Sequence, residues 1–311
     1  MRIHVLHEND AWTAPLLEAL TARGLPFEAW HLAEGRVDST AIPPEGVFYN
    51  RMSASSHTRG HRFAPELTRN LLSWLEAQGR RVVNGRRALD LEISKLDQYA
   101  ALRAQGVRVP RTLGAVGRAA ALQAARELGR LPLILKPNRG GAGAGVQLIE
   151  SLDRLAAVLD DPATVQPRDG VWLLQDYIRP AEAAITRCEF VGGAFLYAVR
   201  VDTGDGFELC PADACALPGG REKFEILHGF DDPLLARYAR TLAANGIEVA
   251  GIEFVRDRAG RAYTYDINTN TNYNAGAERR AQASGLQVSG MGRLADFLGG
   301  ELARVRRRAA A

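Results

Sequence analysis

The segment "YTYDINTNTNYN", Tyr263 to Asn274, sets one carboxylate ahead of four asparagines that occupy every second position. In an extended chain this alternation turns Asp266, Asn268, Asn270 and Asn272 to one face. Such a face offers oxygen ligands and amide donors, which suit a hard cation and a phosphate. It suits a polar turn ladder equally. A second stretch, "LKPNRGGAGAGV", places Lys136 at a strand end and follows it with Gly140, Gly141, Gly143 and Gly145. Glycines let backbone N–H groups converge on an anion, and a lysine adds a point charge beside them. Because the lysine precedes the glycines, this is not a Walker loop. "VQLIE" then reads as a strand where a dinucleotide fingerprint requires a helix. Taken alone, the stretch fits phosphate binding and a flexible hairpin loop equally well.

Other reactive residue types carry less. His57 and His61 stand at the spacing of a helical metal pair, but Gly60 between them and the neighbouring serines favour a polar surface loop. Asp202 to Phe207, "DTGDGF", lacks the later ligands of a calcium loop and reads as a turn. The three cysteines, Cys188, Cys210 and Cys215, cannot close a disulfide framework and have no histidine beside them to complete a zinc set. They read as structural thiols in a reducing compartment.

With 311 residues the chain has room for two or three domains, and 46% hydrophobic against 24% charged residues is an ordinary globular balance. A net charge of +3 does not argue for nucleic acid, and the basic "RVRRR" at Arg304 to Arg308 reads as a solvated tail. "MRIHVLHEND" turns acidic and polar too early for a signal peptide, and no apolar run approaches a membrane span. The expectation is a cytoplasmic protein that meets neither nucleic acid nor membrane, with a homo-oligomer compatible.

These residues need elements to position them. "RIHVL", "FEAWHL", "GVFYN" and "RRVVN" read as strands. Between them lie the helices "DAWTAPLLEALTARG", with Asp10 as N-cap and Gly24 as stop, and "APELTRNLLSWLEAQG", with Leu67, Leu71 and Leu75 at helical spacing. That alternation argues for a small parallel α/β sheet over roughly the first 90 residues. "ISKLDQYAALRAQG", "RAAALQAARELG" and "SLDRLAAVLDD" read as helices, and "LPLILKP" and "VWLLQDYI" as strands. Further on, "TRCEFVGGAFLYAVRV" reads as a hairpin turning on Gly192-Gly193, and "VAGIEFVRDRAGRAYTYDIN" as another turning near Gly260. Between these two, "DDPLLARYARTLAANG" is a helix capped by Asp232, with Pro233 in its first turn.

The ordered set "EISKLDQYAALRAQGVRVPRT", "LPLILKPNRGGAGAGV", "WLLQDYI", "AGIEFV" and "YDINTN" resembles the ATP-grasp superfamily. It is most similar to the branch of glutamate-adding and related carboxylate–amine ligases. "FYNRMSASSHTRG" with "VVNG" resembles the amino-terminal domain of that branch, so the likeness covers nearly the whole chain. It implies a mixed α/β (α+β) fold, with a small parallel α/β domain at 1–93 followed by subdomains at 94–178 and 179–311 that hold the nucleotide between them.

The resemblance also implies roles. Lys95 and Lys136 take the nucleotide phosphates, and Gly140, Gly141, Gly143 and Gly145 form the loop that closes over them. The backbone around Gln175, Asp176 and Ile178 grips the adenine edge. Glu253, Asp266 and Asn268 match the three magnesium-ligand positions, with the two acids in the order Glu, Asp where the family has Asp, Glu. The acid that the family places ahead of its matched arginine is Ile185 here, leaving Glu182 as the ribose candidate. Arg187 and Arg200, on adjacent strands of one hairpin, are expected to aim at one cleft and steady the transferring phosphate. Arg51 is the candidate for an acidic substrate, with Asn270 and Asn272 facing the reacting groups. ATP and Mg2+ (Mn2+ as a substitute) would activate a carboxylate as an acyl phosphate for attack by an amine, of an amino acid or a peptide. A small-molecule kinase or a non-catalytic nucleotide-binding module would carry the same nucleotide site.

Overall fold

Residues 1–141, 143–204 and 222–310 are described by the computed structural model. The chain opens with β1 (Arg2–His7), α1 (Asp10–Thr21), β2 (Phe27–His31) and β3 (Gly46–Asn50), and α2 (Ala64–Ala77) then leads into β4 (Arg81–Val83). These strands form a parallel sheet in the order β2-β1-β3-β4. Alternate residues face opposite covers, as a strand's period of two requires. Ile3, Val5, Val47 and Tyr49 pack with Leu16 and Leu20 of α1, while Leu6 and Phe48 pack with Leu71, Leu72 and Leu75 of α2. Asn9, one residue earlier than expected, caps α1: it is extended, and its side chain accepts from the Trp12 N–H. Asp10 lies inside the first turn.

The next elements are α3 (Arg86–Glu92), α4 (Lys95–Ala104), β5 (Thr112–Val116), α5 (Arg118–Leu128), β6 (Leu133–Pro137), β7 (Gln147–Ile149), α6 (Leu152–Asp160) and β8 (Val171–Asp176). The strands pair antiparallel in the order β5-β8-β6-β7. Helices α5 and α6 share a core with that sheet. The glycine-rich stretch is therefore the connection of the β6–β7 hairpin. Gly143 and Gly145 adopt φ of 75° and 74° within it, a region that L side chains rarely enter.

The last part comprises β9 (Ala184–Val191), β10 (Ala194–Asp202), β11 (Phe224–Leu227), α7 (Leu234–Ala244), β12 (Val249–Arg256), β13 (Ala262–Asn268), α8 (Ala275–Ala283) and α9 (Gly290–Ala310). Its described strands form an antiparallel sheet in the order β11-β10-β9-β12-β13. Both expected hairpins are present, with Gly192, Gly193 and Gly260 at positive φ in their turns. Helices α4 and α7 cover one face of the sheet. Helix α9 returns to the start of the chain, where Leu294, Leu298 and Leu302 join the core of β1, β3 and α1. Arg304 to Arg308 thus belong to a helix: Arg304 pairs with Glu301, and Arg306 donates to the Met1 carbonyl at 3.0 Å.

Asn84 fastens the first sheet to the last. Its backbone is left-handed, with φ of 54°. Its fully buried amide donates to the carbonyls of Val249 (2.7 Å) and Thr269 (3.0 Å) and accepts from the N–H groups of Glu248 (3.0 Å) and Val249 (3.1 Å). Cys188 is buried in the core below the last sheet, and burial pushes its thiol pKa up. Cys210, Cys215 and residues 205–207 of the expected turn lie outside the described residues. Among the described residues, no helix is long and apolar enough to cross a membrane.

Candidate active site

A cavity of about 860 Å3 opens where α1 and the loop after β3, the β6–β7 connection and the last sheet meet. Its lining brings together Lys95, Lys136, Gly140, Gly141, Gly143, Gln175, Asp176, Ile178, Arg187, Glu253, Asp266, Asn268, Asn270 and Asn272. Their sequence positions are scattered; the sheet register gathers them. Arg187 on β9 is opposite Glu253 on β12, which is opposite Asp266 on β13. Cross-strand partners share a face, so one cation and two carboxylates form a row across three strands. A bulge at the next step pairs Phe254 with Thr264 and leaves Tyr265 unpaired in the register, so Tyr265 and Asp266 both reach the cavity.

Each carboxylate meets a cation. Arg187 donates to Glu253 at 2.9 Å and to Glu189 at 2.6 Å, and its remaining nitrogen donates to the Thr271 hydroxyl at 2.7 Å. Lys95, at the start of α4, donates to Asp266 at 2.6 Å. Burial opposes the charge on Lys95, yet the nearby Asp266 carboxylate together with Tyr99 and Glu92 outweighs it and holds the ammonium above the usual lysine range. Glu253 goes the other way: burial raises its pKa, and the Arg187 guanidinium only partly offsets that. Room for the guanidinium comes from Gly251, where a Cβ would lie 2.5 Å from Arg187 Nε. The glycine of "GIEF" is thus a packing requirement of the site, which reading the stretch as a strand did not reveal.

Lys136 is buried, and its ammonium donates to the Tyr99 hydroxyl at 2.8 Å. Among the described residues it has no carboxylate partner. Gln175 spends its side-chain amide on Thr112 (2.8 Å) and Tyr99 (3.1 Å). Asp176 donates its N–H to the Arg111 carbonyl at 2.9 Å, leaving its own Oδ1 buried and unpaired at the cavity wall.

The asparagine row outlasts its strand. β13 ends at Asn268, yet Asn270 and Asn272 still line the cavity because the threonines between them are anchored behind it. Thr269 donates to Glu92 through its N–H (2.7 Å) and hydroxyl (3.0 Å), and Thr271 donates to Glu189 at 2.8 Å. Asn270 Oδ1 is buried without a partner. Asn272 accepts from Arg51 at 2.6 Å. Arg51 is fully buried behind that wall; it also donates to the Trp12 carbonyl at 3.1 Å, and its Nε is unpaired.

Three expectations change. Arg200 is opposite Thr186 while Arg187 is opposite Val199, so the arginines occupy successive positions along the pleat and face opposite sides of the sheet. Arg200 lines a separate cavity with Glu222 and Arg280, and pairs with Glu182 at 3.6 Å. Glu182 is exposed and does not line the main cavity, and neither does Gly145. His57 and His61 have separate partners, the Ala54 carbonyl at 3.2 Å and Glu8 at 2.7 Å. Sequence reading passed over Tyr99, Glu189, Tyr265 and Thr271. The alternation of Glu189 with Arg187 was the one signal available for any of them.

The chain is similar to several known proteins. The profile described as a RimK-like ATP-grasp domain matches residues 93–280. A probable alpha-L-glutamate ligase of Xanthomonas axonopodis pv. citri (strain 306) is 28% identical over 193 residues, which span 61% of this chain and 61% of that protein. A probable alpha-L-glutamate ligase of Cellvibrio japonicus (strain Ueda107) is 23% identical over 94% of this chain and 93% of its own length. The structure of the ATP-grasp ligase PsnB complexed with minimal precursor, Mg and ADP superposes with a TM-score of 0.64 at 19% identity, covering 96% of this chain and 97% of that one. That likeness establishes the fold.

Proposed function

The chain belongs to the RimK-like ATP-grasp domain family, and from that premise we propose that it is an ATP-dependent carboxylate–amine ligase acting on an amino acid or a peptide. The observation that carries this is the convergence on one cavity of Lys95, the buried Lys136 and the Glu253–Asp266 pair. Two lysines from residues 94–178 facing a pair of acids from residues 179–311 suit a polyphosphate with its metal.

Glu253, Asp266 and Asn268 offer only oxygen donors, a set that fits Mg2+, with Mn2+ as a substitute. Magnesium, when bound there, offsets the charge of the triphosphate. Lys136 and Lys95 hold phosphate oxygens, and the amides of Gly140, Gly141 and Gly143 close over them. The substrate carboxylate takes the γ-phosphoryl group, ADP leaves, and Arg187 is placed to meet charge on the acyl phosphate. An amine then displaces phosphate and leaves an amide. Arg51, expected to take an acidic substrate, instead holds Asn272 from behind the wall; Asn272 faces the substrate, and the unpaired Asn270 Oδ1 accepts an N–H from the incoming amine. A cytoplasmic setting, where ATP is available, follows from this chemistry.

The test supplies ATP and magnesium with a panel of amino acids and short peptides, with hydroxylamine present in parallel reactions. A ligase yields ADP, phosphate, an amide and a hydroxamate. A stable phosphorylated product without amide would make the protein a kinase, and nucleotide binding without turnover would make it a binding module. Either result overturns the proposal.

A further inference from the structure

Five of the chain's six histidines fall within its first 61 residues, and two of them meet an aspartate at the carboxyl ends of the first strands. His7 ends β1 and His31 ends β2, and the parallel register sets them directly side by side. Their rings lie 5.2 Å apart, edge to face. Asp10, in the first turn of α1, turns back toward them, and one ligand atom from each of the three residues lies within 4.8 Å of the others. We propose that His7, Asp10 and His31 form a binding site for one divalent transition metal of the zinc, cobalt or nickel class.

Two observations separate this cluster from a chance meeting of polar groups. His7 is only 3% exposed, yet its Nδ1 has no hydrogen-bond partner. Buried polar nitrogens are seldom left unpaired. Nor does Asp10 satisfy it: the carboxylate stands 3.8 Å from Nδ1, beyond hydrogen-bond reach and on the scale separating two ligands of a common ion. The donor set then selects the ion. Two imidazoles and a carboxylate suit transition metals, in contrast to the all-oxygen set of Glu253, Asp266 and Asn268. Asp10 and His31 are exposed, which leaves an entry path and an open coordination position. His61, its ring 5.7 Å from that of His31, is held by the buried Glu8 and borders the site. The metal would tie the start of α1 to the sheet two residues before Trp12, which lines the main cavity.

Metal-free full-length protein is titrated with Zn2+, and with Co2+ as a visible reporter, followed by dialysis and metal analysis. The parent should retain one equivalent of zinc and give Co2+ d–d absorption that zinc abolishes. Asp10→Ala and His31→Ala change exposed side chains, so circular dichroism should report an intact fold while the retained metal and the absorption are lost. Asp266→Asn should keep both, which separates this site from the magnesium ligands. A parent that retains no zinc overturns the proposal, as do Asp10→Ala and His31→Ala proteins that bind like the parent, or a loss confined to Asp266→Asn.

Discussion

Burying an ammonium against a single phenol is unfavourable unless an anion completes its surroundings, and Lys136 sits in that position beside Tyr99. Lys136→Met keeps the volume and removes the charge. A lost charge-assisted bond of about 1.5–3 kcal/mol weakens ATP roughly 10- to 100-fold, while the melting temperature of the nucleotide-free protein holds or rises. Calorimetric titration and a thermal scan measure both, and an unchanged ATP affinity would remove Lys136 from the phosphate site. Asp266 behaves differently because its charge counts most where phosphoryl transfer concentrates negative charge. Asp266→Asn should lower kcat by roughly 10²- to 10³-fold with a smaller change in KM for ATP. Normal turnover at low magnesium would show that the alternating row is structural. At this scale the sequence exposes Lys95, Lys136, Glu253 and Asp266, because their ordered spacing resembles a known set. Glu189 and Thr271 stay hidden: the alternation of Glu189 with Arg187 puts the two on one face but does not show that they bond, and nothing in the spacing marks Thr271 as their partner.

Secondary elements decide which residues share a face. Alternation predicted the two hairpins and their glycine turns correctly, but not the relative position of their strands. Whether Arg187 and Arg200 point together depends on a pairing in which a shift of one residue reverses every side chain. The bulge at Tyr265 was equally invisible, because it exists only in the match between β12 and β13. Helix α8 carries a separate test. Glu278 accepts from both the Tyr197 hydroxyl and the Gly290 N–H through Oε1, each at 2.6 Å, and burial raises its pKa above the ordinary glutamate range. The folded state therefore keeps this proton to a higher pH than the unfolded chain. The group's stabilising contribution is full below its unfolded pKa and is lost as pH rises through the folded value. Glu278→Gln preserves an acceptor for both bonds and removes the titration. The melting temperature of the variant should gain on that of the parent as pH rises from acid toward neutrality. A pH-independent difference between the two would refute the assignment.

Across the whole molecule, Asn84 couples the parallel sheet to the site-bearing one through four bonds to backbone groups. Asn84→Ala strands those groups and keeps a left-handed backbone that alanine disfavours. A loss of about 2–4 kcal/mol is expected, read as a lower urea midpoint. Because both sheets share one apolar core, a single transition should persist; two separated transitions would show that they unfold independently. The α/β order of the first part was legible from strand and helix periodicity. The return of α9 was not, since the basic run at Arg304 to Arg308 drew attention from the buried Leu294, Leu298 and Leu302 at helical spacing before it. That return has a consequence for synthesis. The first sheet emerges from the ribosome early, but one of its covers is encoded in residues 290–310. The face it covers is closed only in part by α1 until translation has passed them, so the first sheet is completed after the sheet that bears the site.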